Sequence, residues 1–336
     1  MATTVKDDTM SAKDAIKIFT DTICSLNETD QQIFLSFIAD NWRPEDIRMR
    51  SLSQKFIDGY SNGSDIQEER LRNIKQIVID IRDRVPFDSI LPSENIVAPT
   101  VGENTDCDAI STKHIDAFLY DNNEVDDLIQ EGKLDNLYCG KCGSTNVKTY
   151  NIISHSMSVS TMVYVFCNIL PSMDGKTVLD IGSRLGAVLY GAHIFSSAPK
   201  IIGVEMNKDL CTLQSDIIQK YKMNDRIEIV NKRIEECPEI VQSSNVIIMN
   251  NPFEFYVPDS VHTEIWKFLK ANIQKGTILV TRPSVETTFK TLKTGISVKK
   301  WLKPFELDKN AQDLQVFGSL VLDPTEYSDI TFYEVL

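Results

Sequence analysis

The sequence predicts an α/β protein whose doubly wound, mostly parallel sheet is preceded by a helical N-terminal region. From about residue 176, short apolar runs alternate five times with stretches of helical periodicity. Strands buried on both faces lose the polar alternation of surface strands, so these runs indicate a parallel sheet covered by helices on both sides. The final apolar runs have no helical stretch between them, which predicts an antiparallel C-terminal hairpin at a sheet edge.

The region before the sheet divides into two predicted parts. In residues 1–85, apolar residues recur at three- and four-residue intervals, which predicts about four helices with Ser11, Thr29 and Asp65 as N-caps. Residues 86–150 contain several prolines and turn-forming residues, and they are predicted to form a connector with one helical segment and a Cys-x-x-Cys turn. Residues 151–336 then form the α/β domain.

Composition restricts the cellular setting. The chain has 336 residues, of which 42% are hydrophobic and 25% charged, as is typical of globular proteins. Its start lacks the pattern of a signal peptide, no apolar stretch is long enough to cross a bilayer, and the seven cysteines fit free thiols. We therefore expect no membrane partner and a cytoplasmic location, with the nucleus as the alternative.

The net charge of −13 is concentrated in the first 150 residues. An acidic surface repels phosphate backbones and attracts cations, so a basic protein or an amine is favoured as partner over nucleic acid. A surface adapted for solubility is the alternative interpretation.

The segment "KTVLDIGSRLGAVLYGAHIF" carries the first functional signal. In an open parallel sheet, ligands bind beyond the carboxyl ends of the strands, where the winding direction reverses. Gly182 and Gly186 allow the backbone to turn tightly and approach a ligand, and Glu205, at the end of the next strand, is placed to accept both hydroxyls of a ribose. A pyrophosphate would be repelled by Asp180, so a nucleoside with a cationic amino-acid tail, S-adenosylmethionine, is the better ligand.

At these residues the sequence resembles the class I S-adenosylmethionine-dependent methyltransferases, over roughly residues 155–336. The resemblance implies a seven-stranded sheet with an antiparallel seventh strand and the methyl donor across its centre. The cofactor-binding residues that it implies are Asp180, Gly182, Ser183, Arg184, Gly186, Glu205, Met206 and Asn250. Arg184 stands where the family usually has a glycine, so the loop must either relax or use the guanidinium, for example to bind the methionine carboxylate. Lys232 and Arg233 stand where the family often has an acidic residue that binds the adenine amine.

The segment "IIMNNPFEFY" resembles the Asn-Pro-Pro-Phe/Tyr motif of methyltransferases that act on planar or amide nitrogen, and its Asn-Asn pair is similar to that of the non-SET histone lysine methyltransferases. The predicted catalytic residues are Asn250, Asn251, Pro252, Phe253 and Glu254. The amide oxygens would accept a hydrogen bond from the attacking amine, Pro252 would stiffen the loop, and Phe253 or Tyr256 would cover the cationic centre. Glu254 is a candidate base or cation anchor. A strand end capped by asparagine and packed by phenylalanines is the alternative.

Two further segments are ambiguous. Cys139 and Cys142 resemble half of a zinc ribbon, but the sequence offers no second pair, so no metal is predicted. His155, Ser156 and Ser158 precede a helix and are predicted either to contact the methionine part of the donor or to cap that helix.

Together these features predict an S-adenosylmethionine-dependent N-methyltransferase that acts on a protein side-chain nitrogen. A small amine or a nucleobase is the alternative acceptor. A catalytically inactive scaffold of the same fold is the alternative function, and it predicts an occluded pocket.

Overall fold

The computed structural model describes residues 53–99, 107–139, 147–306, 316–322 and 324–336, with side chains from Ile66 onward. The chain divides into two compact units, Met1–Gly63 and Ser64–Leu336, and the central sheet belongs to the second. The predicted boundaries after residues 85 and 150 fall within this second unit. The predicted caps Ser11 and Thr29 lie outside the described residues.

The helices of the described residues are α1 (Ser53–Arg82), α2 (Asn122–Gln130), α3 (Val159–Val163), α4 (Ala187–Phe195), α5 (Lys208–Lys220), α6 (Pro238–Ser243), α7 (Asp259–Asn272), α8 (Val285–Thr291) and α9 (Val298–Trp301). A π-helical segment, Tyr164–Ile169, continues α3, and Ile234–Glu236 and Pro324–Glu326 are short 3₁₀ turns. Within the described part of the chain, none of the helices is long and apolar enough to span a membrane.

The strands are β1 (Thr112–His114), β2 (Leu137–Cys139), β3 (Val147–Thr149), β4 (Asn151–Ile153), β5 (Thr177–Ile181), β6 (Lys200–Glu205), β7 (Ile227–Asn231), β8 (Val246–Asn250), β9 (Ile278–Arg282), β10 (Leu302–Pro304), β11 (Val316–Phe317), β12 (Leu320–Val321) and β13 (Thr331–Val335).

Seven of these strands form the central sheet, in the order β10-β13-β9-β8-β5-β6-β7. Strands β5 to β9 are parallel, whereas β13 runs antiparallel to both β9 and β10. The chain winds outward from β5 through β6 to β7 and then returns to place β8 on the other side of β5. The predicted fold class, a doubly wound seven-stranded sheet with an antiparallel C-terminal pair, is confirmed, and the winding reverses at β5.

The antiparallel partner of β13 at the sheet edge is β10, and β11 and β12, which lie between them in the chain, form a separate hairpin outside the sheet. One local prediction was wrong. Helix α1 is continuous through Gly59, Gly63 and Asp65, where the sequence predicted two helices and an N-cap. A glycine lowers helix stability by about 1 kcal/mol, which the rest of a 30-residue helix can offset.

The central strands are apolar on both faces because each face packs against its own core. Alternate residues point to opposite sides of a sheet. Val178, Ile201, Val246 and Val280 belong to one core, and Leu179, Ile202, Ile247 and Leu279 belong to the other. Helix α1 adds Leu71, Ile74, Val78 and Ile81, spaced as one helical face, to the first core. Part of the predicted N-terminal helical region is therefore built into the α/β unit.

The loop between β5 and α4 is fixed by close packing at two glycines. Gly182 (φ +75) lies so near Pro252 that an added Cβ would be 2.6 Å from the proline Cβ. Gly186 (φ +85) is the N-cap of α4, and an added Cβ would be 2.5 Å from Cζ of Tyr190, which is fully buried. The loop can follow this course only with glycine at both positions.

We expect Gly186→Ala to destabilise the protein by about 1–3 kcal/mol more than Gly276→Ala, because an overpacked core costs about that much. Gly276 is the matched control, since it has the same φ of +85 but nothing within 4 Å of an added Cβ. Both variants bear the strain of a left-handed residue, so the difference isolates the clash with Tyr190. Urea unfolding measures it, and equal losses in the two variants would contradict this account of the loop.

Candidate functional site

A cavity of about 220 Å³ opens at the carboxyl ends of β5, β6 and β8, where the winding reverses. It is lined by the β5–α4 loop, by the ends of β6 and β8, by residues after β7 and by residues 93–95 of the predicted connector. A second cavity beside Phe253 has only about 20 Å³, room for about one water molecule. The first cavity is therefore the candidate ligand site.

The predicted cofactor-binding residues separate into two groups. The five that line the cavity are Gly182, Arg184, Glu205, Met206 and Asn250. The other three, Asp180, Ser183 and Gly186, lie behind the lining. Ser183 illustrates this, since its hydroxyl donates to Oε1 of Gln214 (2.8 Å) inside the core.

Glu205 is held at the end of β6 by two backbone amides. Its Oε2 accepts the N–H of Arg184 at 3.0 Å, and its Oε1 accepts the N–H of Asn207 at 2.7 Å. The residue is 7% exposed, and burial raises the pKa of its carboxyl. Each carboxylate oxygen accepts about two hydrogen bonds, so each retains one acceptor position. Glu205 can thus accept two further donors, such as a pair of hydroxyls.

Asp180 is buried within β5, at 3% exposure, and no described residue donates a hydrogen bond to its carboxylate. Burial, together with the nearby charge of Glu205, raises the pKa of Asp180 to about 8. A carboxyl without stabilising partners holds its proton more tightly. Near neutral pH Asp180 is therefore mostly protonated, and a nearby cation would favour its ionisation.

Arg184 occupies a glycine-like conformation, with φ of 42°, and turns its side chain into the protein. Its Nε lies 2.8 Å from Oε1 of Glu94, its Nη1 lies 2.7 Å from Oδ2 of Asp116, and its Nη2 donates to the carbonyl of Ser89. The guanidinium is thus held by two protein carboxylates, and its binding to a ligand carboxylate stays a prediction. A buried guanidinium needs counter-charges, and these two acids supply them.

No sequence pattern indicated that the predicted connector lines the cavity. Ser93, Glu94 and Asn95 do so, and residues 87–99 are called the connector strap below. Besides the pairing of Glu94 with Arg184, Asn207 Nδ2 donates to Ser93 Oγ (3.2 Å) and the Val97 N–H donates to the carbonyl of Phe255 (3.0 Å). An arginine in the glycine loop indicates that an acidic residue from another segment pairs with it. Because the chain has 48 acidic residues, the sequence alone does not identify that partner.

Asn250 and Tyr256 present unpaired polar atoms. Oδ1 of Asn250 and Oη of Tyr256 are buried, and neither has a hydrogen-bond partner among the described residues. Both residues line the cavity. Buried polar atoms are nearly always hydrogen-bonded. A ligand in the cavity is the natural partner of these two.

The rest of the "NNPF" segment shapes the loop after β8. Asn251 has φ of 50°, and its Nδ2 donates to Oε2 of Glu254 at 2.6 Å. Asn251, Pro252 and Phe253 line the cavity, whereas Glu254 is not among the lining residues. The position of Glu254 therefore fits support of the loop better than the predicted role of base.

The parallel pair β1–β4 places the carboxyl ends of the two strands side by side. Nε2 of His155 lies 2.9 Å from Nδ1 of His114, and His155 lines the cavity. Burial lowers the pKa of His155 well below its ordinary value, so its ring is neutral.

The two serines that follow His155 bond within the protein. Ser156 donates to Asp116 (2.7 Å), whereas Ser158 caps α3 by accepting the N–H of Thr161 (3.2 Å). Of the three residues predicted to contact the methionine part of the donor, only His155 lines the cavity.

Two further predictions concern residues at the margin of the site. Lys232 and Arg233 line the cavity, and Arg233 pairs with Glu235 at 2.9 Å. Cys142 and the side chain of Cys139 lie outside the description, so the half zinc ribbon stays untested. Among the residues whose side chains are described, no group of three or more His, Cys, Asp or Glu residues could hold a metal ion.

No protein-family model matches the chain, and no curated protein matches it in sequence. Among solved structures, it is similar to an RNA methyltransferase of Salinibacter ruber in complex with S-adenosyl-L-homocysteine, with 16% identity over 52% of this chain and 86% of that chain and a TM-score of 0.30. It is also similar to an O-methyltransferase of Bacillus cereus in complex with the same molecule, with 12% identity over 55% of this chain and 84% of that chain and a TM-score of 0.34. A third similar structure is a precorrin-6y C5,15-methyltransferase of Geobacter metallireducens, with 11% identity over 53% of this chain and 88% of that chain and a TM-score of 0.36. Similarities this distant do not bear on ligand or activity, which are inferred from the residues of the cavity.

We expect the free energy of unfolding of Asp180→Asn, relative to the wild type, to increase as pH rises from 5 to 8. Above pH 8 the difference should stay constant. The folded pKa of about 8 exceeds the ordinary 3.8, so the folded protein binds more protons in this range and loses stability as pH rises. Asparagine does not titrate and escapes this loss. Urea unfolding at pH 5, 6, 7, 8 and 9 measures the difference.

The control is Asp174→Asn. Hydrogen bonds from Ser197 and Ser172 lower the pKa of this exposed carboxyl, so Asp174 is ionised in both folded and unfolded chains above pH 5. The difference in the free energy of unfolding between Asp174→Asn and the wild type should therefore stay constant from pH 5 to 9. A constant difference for Asp180→Asn as well would show that Asp180 does not titrate in this range.

Proposed function

We propose that the chain is an S-adenosylmethionine-dependent N-methyltransferase. The observation that carries this proposal is that two complementary groups face one cavity at the reversal point of the sheet. One is the Glu205 carboxylate, whose oxygens retain acceptor positions, and the other is the unpaired Oδ1 of Asn250. The first suits a ribose and the second suits the N–H of an acceptor.

A glycine in the cavity wall and the charges near the cavity support the proposed donor. Gly182 brings its backbone to the cavity wall without a side chain, so a ligand can approach the loop closely. Glu205 would hold the ribose hydroxyls, and the acidic surroundings of Arg184 suit a positively charged tail. When bound, the donor supplies an electrophilic methyl group.

The residues after β8 suit the acceptor side of an in-line transfer. Such a reaction mainly requires alignment of the nucleophile and exclusion of water. Oδ1 of Asn250 would accept an N–H of the acceptor and thereby direct its lone pair. Phe253, which is 7% exposed, and the half-buried Tyr256 would keep water from the reacting atoms.

The proposed acceptor is a protein side-chain nitrogen. The net charge of −13 and the carboxylates near the cavity favour a cationic substrate over a polyphosphate. The Asn250–Asn251 pair favours nitrogen as the acceptor atom. A small amine or a nucleobase is an alternative outcome of the test below.

The open cavity supports an enzyme rather than an inactive scaffold, for which an occluded pocket was expected. The scaffold alternative rests on Arg184 in the glycine loop and on the absence of the acid that often binds adenine. The positive φ of Arg184 preserves the course of a glycine loop, and its side chain turns toward Glu94 and Asp116, so the cavity is not blocked.

We expect the purified protein to bind S-adenosylmethionine, and Glu205→Gln to weaken binding at least about tenfold, because two hydrogen bonds to a charged acceptor are disturbed. Calorimetry measures both affinities. Glu228→Gln is the control, since Glu228 lies on the neighbouring strand β7 and is exposed. Unchanged affinity in Glu205→Gln would contradict the placement of the ribose, and absence of binding to the wild type would contradict the proposed function.

We expect Asn250→Ala to lower methyl transfer by tens-fold or more while leaving donor affinity nearly unchanged, because its amide acts on the acceptor in the transition state. The assay uses labelled donor and a cell extract, with donor affinity measured separately by calorimetry. Products treated with protease or nuclease identify the acceptor. Label that survives protease and is lost with nuclease would refute the protein-substrate proposal.

A further inference from the structure

Glu94 brings a buried carboxylate to the cavity from outside the parallel sheet. Its side chain is 2% exposed. Oε1 accepts from Nε of Arg184 at 2.8 Å, and Oε2 accepts the N–H of Leu91 at 2.8 Å and Nη2 of Arg184 at 3.3 Å. These bonds fix the carboxylate on the cavity wall.

The inner part of the cavity has more negative than positive charge. Arg184 is paired with two carboxylates, those of Glu94 and Asp116, so this cluster alone has a net charge of −1 when both are ionised. The Glu205 carboxylate, bonded to the Arg184 amide, adds a further negative charge. The carboxylates of Glu94, Asp116 and Glu205 are buried, so solvent screens their charges only weakly.

The positive residues that line the cavity do not balance this excess. Lys232 is exposed to solvent, which screens its charge, and Arg233 is paired with Glu235 at 2.9 Å. Both follow β7, whereas Glu94 and Arg184 lie by the β5–α4 loop. The negative excess therefore remains at the inner end.

Such a charge distribution distinguishes the methyl donor from its product. S-Adenosylmethionine has a positively charged sulfonium, whereas S-adenosylhomocysteine has a neutral thioether and is otherwise the same molecule. The unpaired atoms of Asn250 and Tyr256 independently mark this cavity as a ligand site. A buried negative excess stabilises the cation and gives little advantage to the thioether.

We propose that Glu94 is a specificity-determining residue that makes this pocket bind the sulfonium donor more tightly than the thioether product. This inference rests on the proposed function and adds to it a reason for the product to bind more weakly than the donor. The connector strap thus contributes selectivity as well as a wall of the pocket.

Calorimetry with S-adenosylmethionine, S-adenosylhomocysteine and sinefungin tests the proposal; sinefungin has a protonated amine in place of the sulfonium. We expect the wild type to bind both cationic ligands about tenfold more tightly than the thioether. In Glu94→Gln, donor affinity should fall about fivefold or more, while product affinity changes less than about twofold. Ser93→Ala is the control, because Ser93 is an uncharged residue of the same strap that also lines the cavity.

Equal weakening of donor and product by Glu94→Gln would overturn the proposal and leave Glu94 as an anchor of the strap. The proposal would also be overturned if the wild type bound S-adenosylhomocysteine as tightly as, or more tightly than, both S-adenosylmethionine and sinefungin. This comparison uses only the wild type, so misfolding of a variant cannot affect it. Failure of all three ligands to bind the wild type would instead contradict the proposed function itself.

Discussion

The paired carboxylates around Arg184 are the interaction on which the site depends. The guanidinium is nearly buried, at 6% side-chain exposure, and lies between Glu94 and Asp116. Removal of one partner from a buried ion pair costs about 3–5 kcal/mol, because it leaves a charge without compensation. The pairings thereby fasten the connector strap and the residues after β1 to the glycine loop. An apparent defect in the loop, an arginine at a glycine position, is the reason the connector belongs to the site.

A second constraint joins the two loops that form the cavity. An added Cβ on Gly182 would be 2.6 Å from the Cβ of Pro252, so the loop after β5 and the loop after β8 are in direct contact. The first loop carries the proposed donor site, and the second carries Asn250. Because the loops pack without a gap, a shift in one displaces the other, which keeps the donor and acceptor positions in register.

The sequence was sufficient to predict the parts of the site that local pattern and topology determine. Apolar runs located β5 to β9, and the rule that ligands bind at the reversal point of a parallel sheet brought Gly182, Glu205 and Asn250 to one edge. Where tertiary contacts decide, prediction failed. The pairing of Arg184 with Glu94 spans 90 residues, and neither residue's local sequence specifies the other. Asp65 was predicted to cap a helix but lies inside α1, because local sequence only weakly determines where a helix begins.

A crystal structure of the protein grown with S-adenosylhomocysteine tests the central claim most directly. We expect the ribose hydroxyls to lie within hydrogen-bond distance of the Glu205 carboxylate, with the sulfur closer to Asn250 and Glu94, which also line the cavity. An empty cavity at saturating ligand, or a ligand bound with its ribose away from Glu205, would contradict it.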